Sequence, residues 1–277
     1  MKLELLKVGH CYHPERVIIK GGRWKPIAFP AIVSLLKHPN KGYILFDTGY
    51  SHHFTAATNP FPERFYRWTT PMCLHDSERL TQQLEMRNIA VEDIRYIFIS
   101  HFHADHIAGL KDFPQARFIC SKLAFQKIIR GFRWSNLIQG YLVNLLPLDF
   151  SERATFIEDC KVVQLSKKLS PFQNGYDLFD DSSLVAIALP GHAYGHYGLM
   201  SYRNKKSSFL IGDACWSIKT ITEHRYPHLI SRIILSNTRE YYETLDKLSQ
   251  LHSQSAELEL LPSHCNHTYE AFCAKED

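Results

Sequence analysis

The order of apolar runs along this chain predicts a layered α/β sandwich, with helices outside and sheets within. Three observations carry that expectation. Short runs rich in β-branched and aromatic residues recur through both halves, at 31–36, 43–46, 94–99, 117–120, 161–165, 184–189, 198–202, 208–211 and 258–261. Stretches with helical spacing lie between them, at 76–88 and 238–252. Clusters of metal-ligand residue types stand where several of the runs end.

Taken in order, the runs at 31–36 and 43–46 flank His38-Pro39-Asn40-Lys41-Gly42, whose Asn and Gly read as a hairpin turn. The helix expected over 76–88 puts Leu80 and Leu84 on one face, with Asp76 as its cap. The run 94–99 reads as a buried strand, and 104–110 leaves room for a helical turn. Tyr241, Leu245, Leu248 and His252 mark a final helix, and 258–261 the last core strand. Two stretches fall outside this framework. Residues 50–75 hold His52, His53, Phe54, Phe61, Phe65, Tyr66 and Trp68, and residues 123–148 hold Phe125, Phe132, Trp134 and Tyr141. Aromatic insertions beside a polar site are expected to line an apolar pocket; a homodimer surface or a satellite core is the competing reading.

With 277 residues the chain is long enough for a sizeable core, and we expect one domain over 1–277. Its 45% hydrophobic and 22% charged residues are ordinary for a globular protein. A net charge of +4, with only short basic stretches, does not call for nucleic acid. The seven cysteines are odd in number and form no Cys-x-x-Cys pair, which fits a reducing compartment. The opening residues lack the pattern of a signal peptide, and no run reaches the ~20 apolar residues of a membrane span. A cytoplasmic protein without membrane contact is expected.

Residues 100–106 read Ser-His-Phe-His-Ala-Asp-His, placing His101, His103, Asp105 and His106 within six positions. Three imidazoles and one carboxylate are the donor mixture that suits zinc or a similar first-row divalent ion. In extended chain, His101 and His103 point to one side. Where the chain begins to coil, Asp105 and His106 turn toward a second ion.

A His-x-His-x-Asp-His run after an apolar strand resembles the signature of the metallo-β-lactamase superfamily. Further pieces match in order over roughly residues 3–265: Ile44 to Gly49, Leu189 to His196, Phe209 to Asp213, and Leu260 to His264. The resemblance implies an αββα four-layer sandwich and two divalent metal ions, with zinc expected. It assigns one ion to His101, His103 and His192 and the other to Asp105, His106 and His264, with Asp213 bridging. Asp47 is expected either to orient a ligand histidine or to turn the chain before Thr48-Gly49. His196 is expected to pack near the site without ligating.

Such a pair of ions implies hydrolysis by a bridging hydroxide, with Asp105 and Asp213 as catalytic carboxylates and Asp105 carrying a proton to the leaving group. The segment 192–196 looks most like the N-acyl homoserine lactonase branch, which implies an ester or lactone substrate with an apolar or acyl part. One residue departs from that branch. A tyrosine usually stands three residues after the bridging aspartate, and Trp216 stands here. An indole N–H donates one hydrogen bond but neither accepts one nor passes a proton. Hydroxyacylglutathione hydrolase-like thioester cleavage, and a metal-binding protein without hydrolysis, are the alternatives. Nothing resembles a nucleophile elbow or a phosphate-cradling loop.

Overall fold

Along each central strand, neighbouring residues enter different cores, as the period-two alternation of side chains requires. Leu45, Ile97 and Phe118 join one apolar cluster, whereas their neighbours Phe46, Phe98 and Ile119 join another. These strands belong to the first of two mixed sheets in the computed structural model, which describes residues 1–202, 207–255 and 257–276. The first sheet contains β1 (Lys2–Pro14), β2 (Pro26–His38), β3 (Gly42–Phe46), β4 (Met72–Cys73), β5 (Ile94–Phe98), β6 (Arg117–Cys120) and β7 (Ala154–Phe156). Its order is β4-β1-β2-β3-β5-β6-β7, with β3, β5, β6 and β7 mutually parallel.

The second sheet contains β8 (Lys161–Gln164), β9 (Asn174–Asp177), β10 (Leu184–Ala188), β11 (Tyr197–Tyr202), β12 (Ser207–Gly212) and β13 (Leu258–Pro262). Its order is β13-β12-β11-β10-β9-β8, and only β12 and β13 pair in parallel. Leu184, Ala186, Leu199 and Leu210 face Leu36, Ile44 and Phe46 across the space between the sheets. The outer face of the second sheet, with Ile187, Met200 and Phe209, packs on Tyr241, Leu245 and Leu248 of the helix Thr238–Gln254. The outer face of the first packs on Leu80, Leu84, Ile107 and Ile128. Three apolar clusters therefore separate four layers, αββα.

The hairpin turn forms as expected. His38 Nδ1 accepts the backbone N–H groups of Asn40 and Lys41, and Gly42 closes the turn at φ +78°. Other expectations need correction. The helix foreseen over 76–88 divides into a short turn, Asp76–Glu78, and a helix, Leu80–Glu85. Arg79 between them is extended, because Gln83 donates to both Lys7 O and Glu78 O and docks the second piece on β1. Asp76 does not cap. Instead, the Glu78 side chain accepts from His75 N–H. The helix Thr238–Gln254, capped by Asn237 Oδ1, is followed by a further helix, Asn266–Glu276, which carries few apolar residues to signal it. The long strand β1 and the short β9 also went unforeseen. All seven cysteines are free. No helix among the described residues is long and apolar enough to cross a membrane.

Candidate metal centre

The seven side chains named from the sequence converge at one end of the sandwich, beyond the C-terminal ends of β5, β10, β12 and β13, with Asp105 and His106 in the short helix Ala104–Ile107 and the rest on loops. His101, His103, His192 and Asp213 offer donor atoms within 4.8 Å of one another, and so do Asp105, His106 and His264. In the first group, His103 Nδ1 lies 3.0 Å from His101 Nε2 and 3.0 Å from His192 Nε2. In the second, His264 Nε2 lies 3.3 Å from Asp105 Oδ2, and His106 Nε2 lies 3.8 Å from it. Asp213 joins the two. Its Oδ2 lies 3.2 Å from His192 Nε2, while its Oδ1 lies 3.1 Å from His264 Nε2 and 3.4 Å from His106 Nε2.

Hydrogen bonds behind the rings fix which nitrogen carries the proton. Asp47 accepts from Ser100 N–H at 2.8 Å, from the Ser100 hydroxyl at 2.8 Å and from His106 Nδ1 at 2.7 Å. With its own proton committed to Asp47, Ser100 Oγ accepts from His101 Nδ1 at 3.0 Å. His264 Nδ1 donates to Pro30 O. The free lone pairs of His101, His106 and His264 therefore sit on Nε2 and face the centre. His192 differs: its Nδ1 has no partner, and its ring rests edge-on against Trp216 at 5.7 Å. Asp47 thus accepts from His106 and also turns the chain at φ +63°.

Local backbone geometry explains the rest. Gly191 lies at φ +118°, and a Cβ there would stand 2.1 Å from the Tyr241 backbone nitrogen. Only glycine lets the His192 loop press onto the helix beneath it. His196, as expected, does not join the donor groups. Its Nδ1 donates to Leu189 O, and its Nε2 accepts from Asp213 N–H, so it staples the ends of β10 and β12 together.

Electrostatics divide the site. Burial, followed by neighbouring imidazoles, pushes His101 and His103 well below the ordinary histidine range. Burial alone would also depress His106, but Asp213, Asp47 and Asp105 outweigh it and lift the ring well above that range. His264 is raised in the same way against its burial, first by Asp213. Burial would raise Asp213, yet His264, His106 and His192 hold it well below the usual carboxylate range.

His106 Nε2, His264 Nε2 and Asp213 Oδ1 are buried and have no partner outside their own cluster, where Asp213 Oδ1 lies 3.1 Å from His264 Nε2 and 3.4 Å from His106 Nε2. Burying three such atoms together is costly unless something accepts their lone pairs. A cation does so, and the imidazole-carboxylate donor set fits a first-row divalent ion.

The centre opens into a cavity of about 420 Å³. Tyr50, Phe65 and Tyr66 from the first aromatic stretch line it, as do Trp134, Leu137 and Ile138 from the second. Of the other aromatics in these stretches, Phe54 and Phe125 pack in or against the core, and Phe61, Trp68 and Phe132 are exposed outside the cavity lining. Among the described residues, no lysine or arginine lines this cavity.

The metallo-beta-lactamase superfamily model matches residues 28–253. The chain belongs to that superfamily. It is similar to N-acyl homoserine lactonase AiiB of Rhizobium rhizogenes, with 23% identity over 95% of this chain and 93% of the relative. Among solved structures it resembles a mutant of Bacillus thuringiensis AiiA with N-decanoyl-L-homoserine bound at the active site. That likeness has a TM-score of 0.72 and 16% identity, and covers 98% of this chain and 95% of the other. AidC, a dizinc quorum-quenching lactonase in complex with a product, aligns at a TM-score of 0.63 and 16% identity, over 96% and 90% of the two chains. The structural likenesses establish the fold, and the family match establishes the superfamily.

Sequence reasoning missed three contributors. Ser100 stands inside the motif, next to His101, and a hydroxyl beside a ligand histidine was a usable signal. Phe29, whose ring stacks on His264 at 4.2 Å, and the Pro30 carbonyl lie more than 230 residues away in sequence, with nothing local to mark them.

Proposed function

We propose that the protein is a dinuclear, zinc-dependent hydrolase that opens a lactone or ester carrying an apolar acyl chain. The observation that carries this reading is a pair of donor groups, joined by the two oxygens of one buried aspartate, at the floor of an aromatic cavity. One ion falls to His101, His103 and His192 and the other to Asp105, His106 and His264, with Asp213 between them. A pair of ions so held supplies Lewis acidity toward the substrate carbonyl and an activated water near neutral pH.

The chain's own residues do the rest. Asp213 sets the spacing of the two halves through its opposed oxygens. Asp105 is the less buried of the two donor carboxylates and lines the cavity, so it is placed to pass a proton to the departing oxygen. Phe65, Trp134, Leu137 and Ile138 exclude water from the acyl part. The absence of cationic lining among the described residues favours a neutral substrate over the anionic carrier of a glutathione thioester. The names of the similar proteins support an N-acyl homoserine lactone as the first compound to try. A cytoplasmic, single-domain enzyme is part of the same reading, in keeping with seven free thiols.

The test is turnover of a lactone, ester, thioester and phosphodiester panel by protein of known metal content. Fastest turnover of an acyl lactone or ester supports the reading. Preference for the thioester favours the hydroxyacylglutathione hydrolase-like alternative, and no turnover with metal bound favours a binding protein.

A further inference from the structure

The indole of Trp216 is buried beside the centre and its Nε1–H donates to Asp213 Oδ2 at 3.0 Å. The same ring meets His192 edge-on at 5.7 Å and Phe29 edge-on at 6.2 Å, and Phe29 in turn stacks on His264 at 4.2 Å. One side chain thus touches the shared carboxylate, one histidine of the first donor group, and the ring that backs a histidine of the second.

We propose that Trp216 is a positioning residue that makes Asp213 an unequal bridge between the two halves of the centre. This rests on the dinuclear reading given above. A carboxylate oxygen has two lone-pair sites. Oδ1 meets only His264 Nε2 and His106 Nε2, at 3.1 and 3.4 Å, with no bond from outside the donor groups, and so is available to the His106–His264 side. Oδ2 already accepts the indole proton, so the His192 side receives only its remaining lone pair. The hydrogen bond also fixes the carboxylate plane, because the indole is wedged between His192 and Phe29 and has no freedom to follow a moving acceptor.

The two halves differ in charge as well. The group around His264 contains the Asp105 carboxylate in addition to its share of Asp213, whereas the other group has only imidazoles, His101, His103 and His192, beside Asp213. Both effects act in the same direction. The half with Asp105 fills first, and the half with His101, His103 and His192 fills second and depends on Trp216 to keep Oδ2 in place.

The committed indole proton has a consequence for substrate. Trp216 N–H is not free to assist a substrate carbonyl, so the residue acts through Asp213 and not on the reacting atoms.

The test is titration of cobalt(II) into metal-free protein, following the visible absorption of each equivalent, for the unmodified chain and Trp216→Phe. The proposal expects two separable equivalents in the unmodified protein. In Trp216→Phe the first equivalent binds as before and the second binds about 10- to 100-fold more weakly, the usual consequence of losing an outer hydrogen bond to a ligand. Unchanged binding of the second equivalent, or equal weakening of both, overturns it. A single merged step in the unmodified protein overturns it whatever the variant does. Uptake of only one ion by the unmodified protein instead sinks the dinuclear reading on which it rests.

Discussion

On the floor of the cavity, four of the seven donor side chains are held from behind by a hydrogen bond: His106 by Asp47, His101 by Ser100, His264 by Pro30 O, and Asp213 by Trp216. The walls are held more loosely. Phe65, Trp134 and Ile138 remain substantially exposed. One two-pronged ion pair, from Arg133 to Glu63, ties the first aromatic stretch to the second, with both contacts at 2.6 Å. Donors that must meet an ion within a few tenths of an ångström need rigid support. A wall that excludes water from an acyl chain needs area more than exact placement. On the proposed function, this difference gives the chemistry to the floor and the choice of substrate to the walls.

The comparison breaks most visibly at its centre. Asp213→Ala removes the shared carboxylate, and we expect hydrolysis to fall to background with fewer than two ions retained per chain, by elemental analysis. Full activity with one ion per chain contradicts the dinuclear scheme. Asp47→Asn tests the rigidity of the floor one bond further out. It leaves the ligands in place but weakens the acceptor of three hydrogen bonds, and metal affinity or kcat/KM should fall about 10- to 100-fold.

Acid probes the same support without mutation. Burial, reinforced by His192, depresses His196 to about 3, and its neutral ring both donates to Leu189 O and accepts from Asp213 N–H. Because the folded value lies below the ordinary 6.5, the unfolded chain binds the extra proton between these limits. Stability of the metal-free protein is therefore present above pH 6.5 and lost as pH falls toward 3. Each such proton contributes a slope of at most about 1.4 kcal/mol per pH unit. His101 and His103, also depressed by burial, act in the same direction. His106 and His264 are raised and act in a separate window, leaving the acid limb unchanged and losing their contribution as pH rises above 6.5. Chemical denaturation from pH 7 to 4, with and without His196→Gln, checks the sign; a variant with an unchanged acid limb counts against the His196 staple.

The walls should give the smallest and most selective effect. Trp134→Ala is expected to raise KM for long acyl substrates by roughly tenfold, from lost apolar contact of about 1–2 kcal/mol, with short-chain turnover nearly unchanged. Equal losses on short and long chains would mean that the wall shapes the chemistry too.

The floor was the more legible region in the sequence. His101 to His106 follow the apolar run 94–99 directly, and Asp213 and His264 each end another apolar run, so ligand chemistry coincides with strand ends that can be read locally. The central strands were legible for the same reason. What escaped was set by tertiary contact. Arg79 interrupts the helix foreseen over 76–88 because Gln83 is drawn to β1. The bond from Trp216 to Asp213 depends on how the loop after β12 packs against Phe29 and His192. The helix Asn266–Glu276 lacks a clear apolar stripe, and β1 escaped despite its length.

The most direct test of the central claim is metal stoichiometry measured together with hydrolysis of an N-acyl lactone on the same purified sample. The account predicts two divalent ions per chain and turnover that disappears on chelation and returns when the second equivalent is restored. Full turnover with a single ion, or two bound ions without cleavage of any lactone or ester, would contradict it.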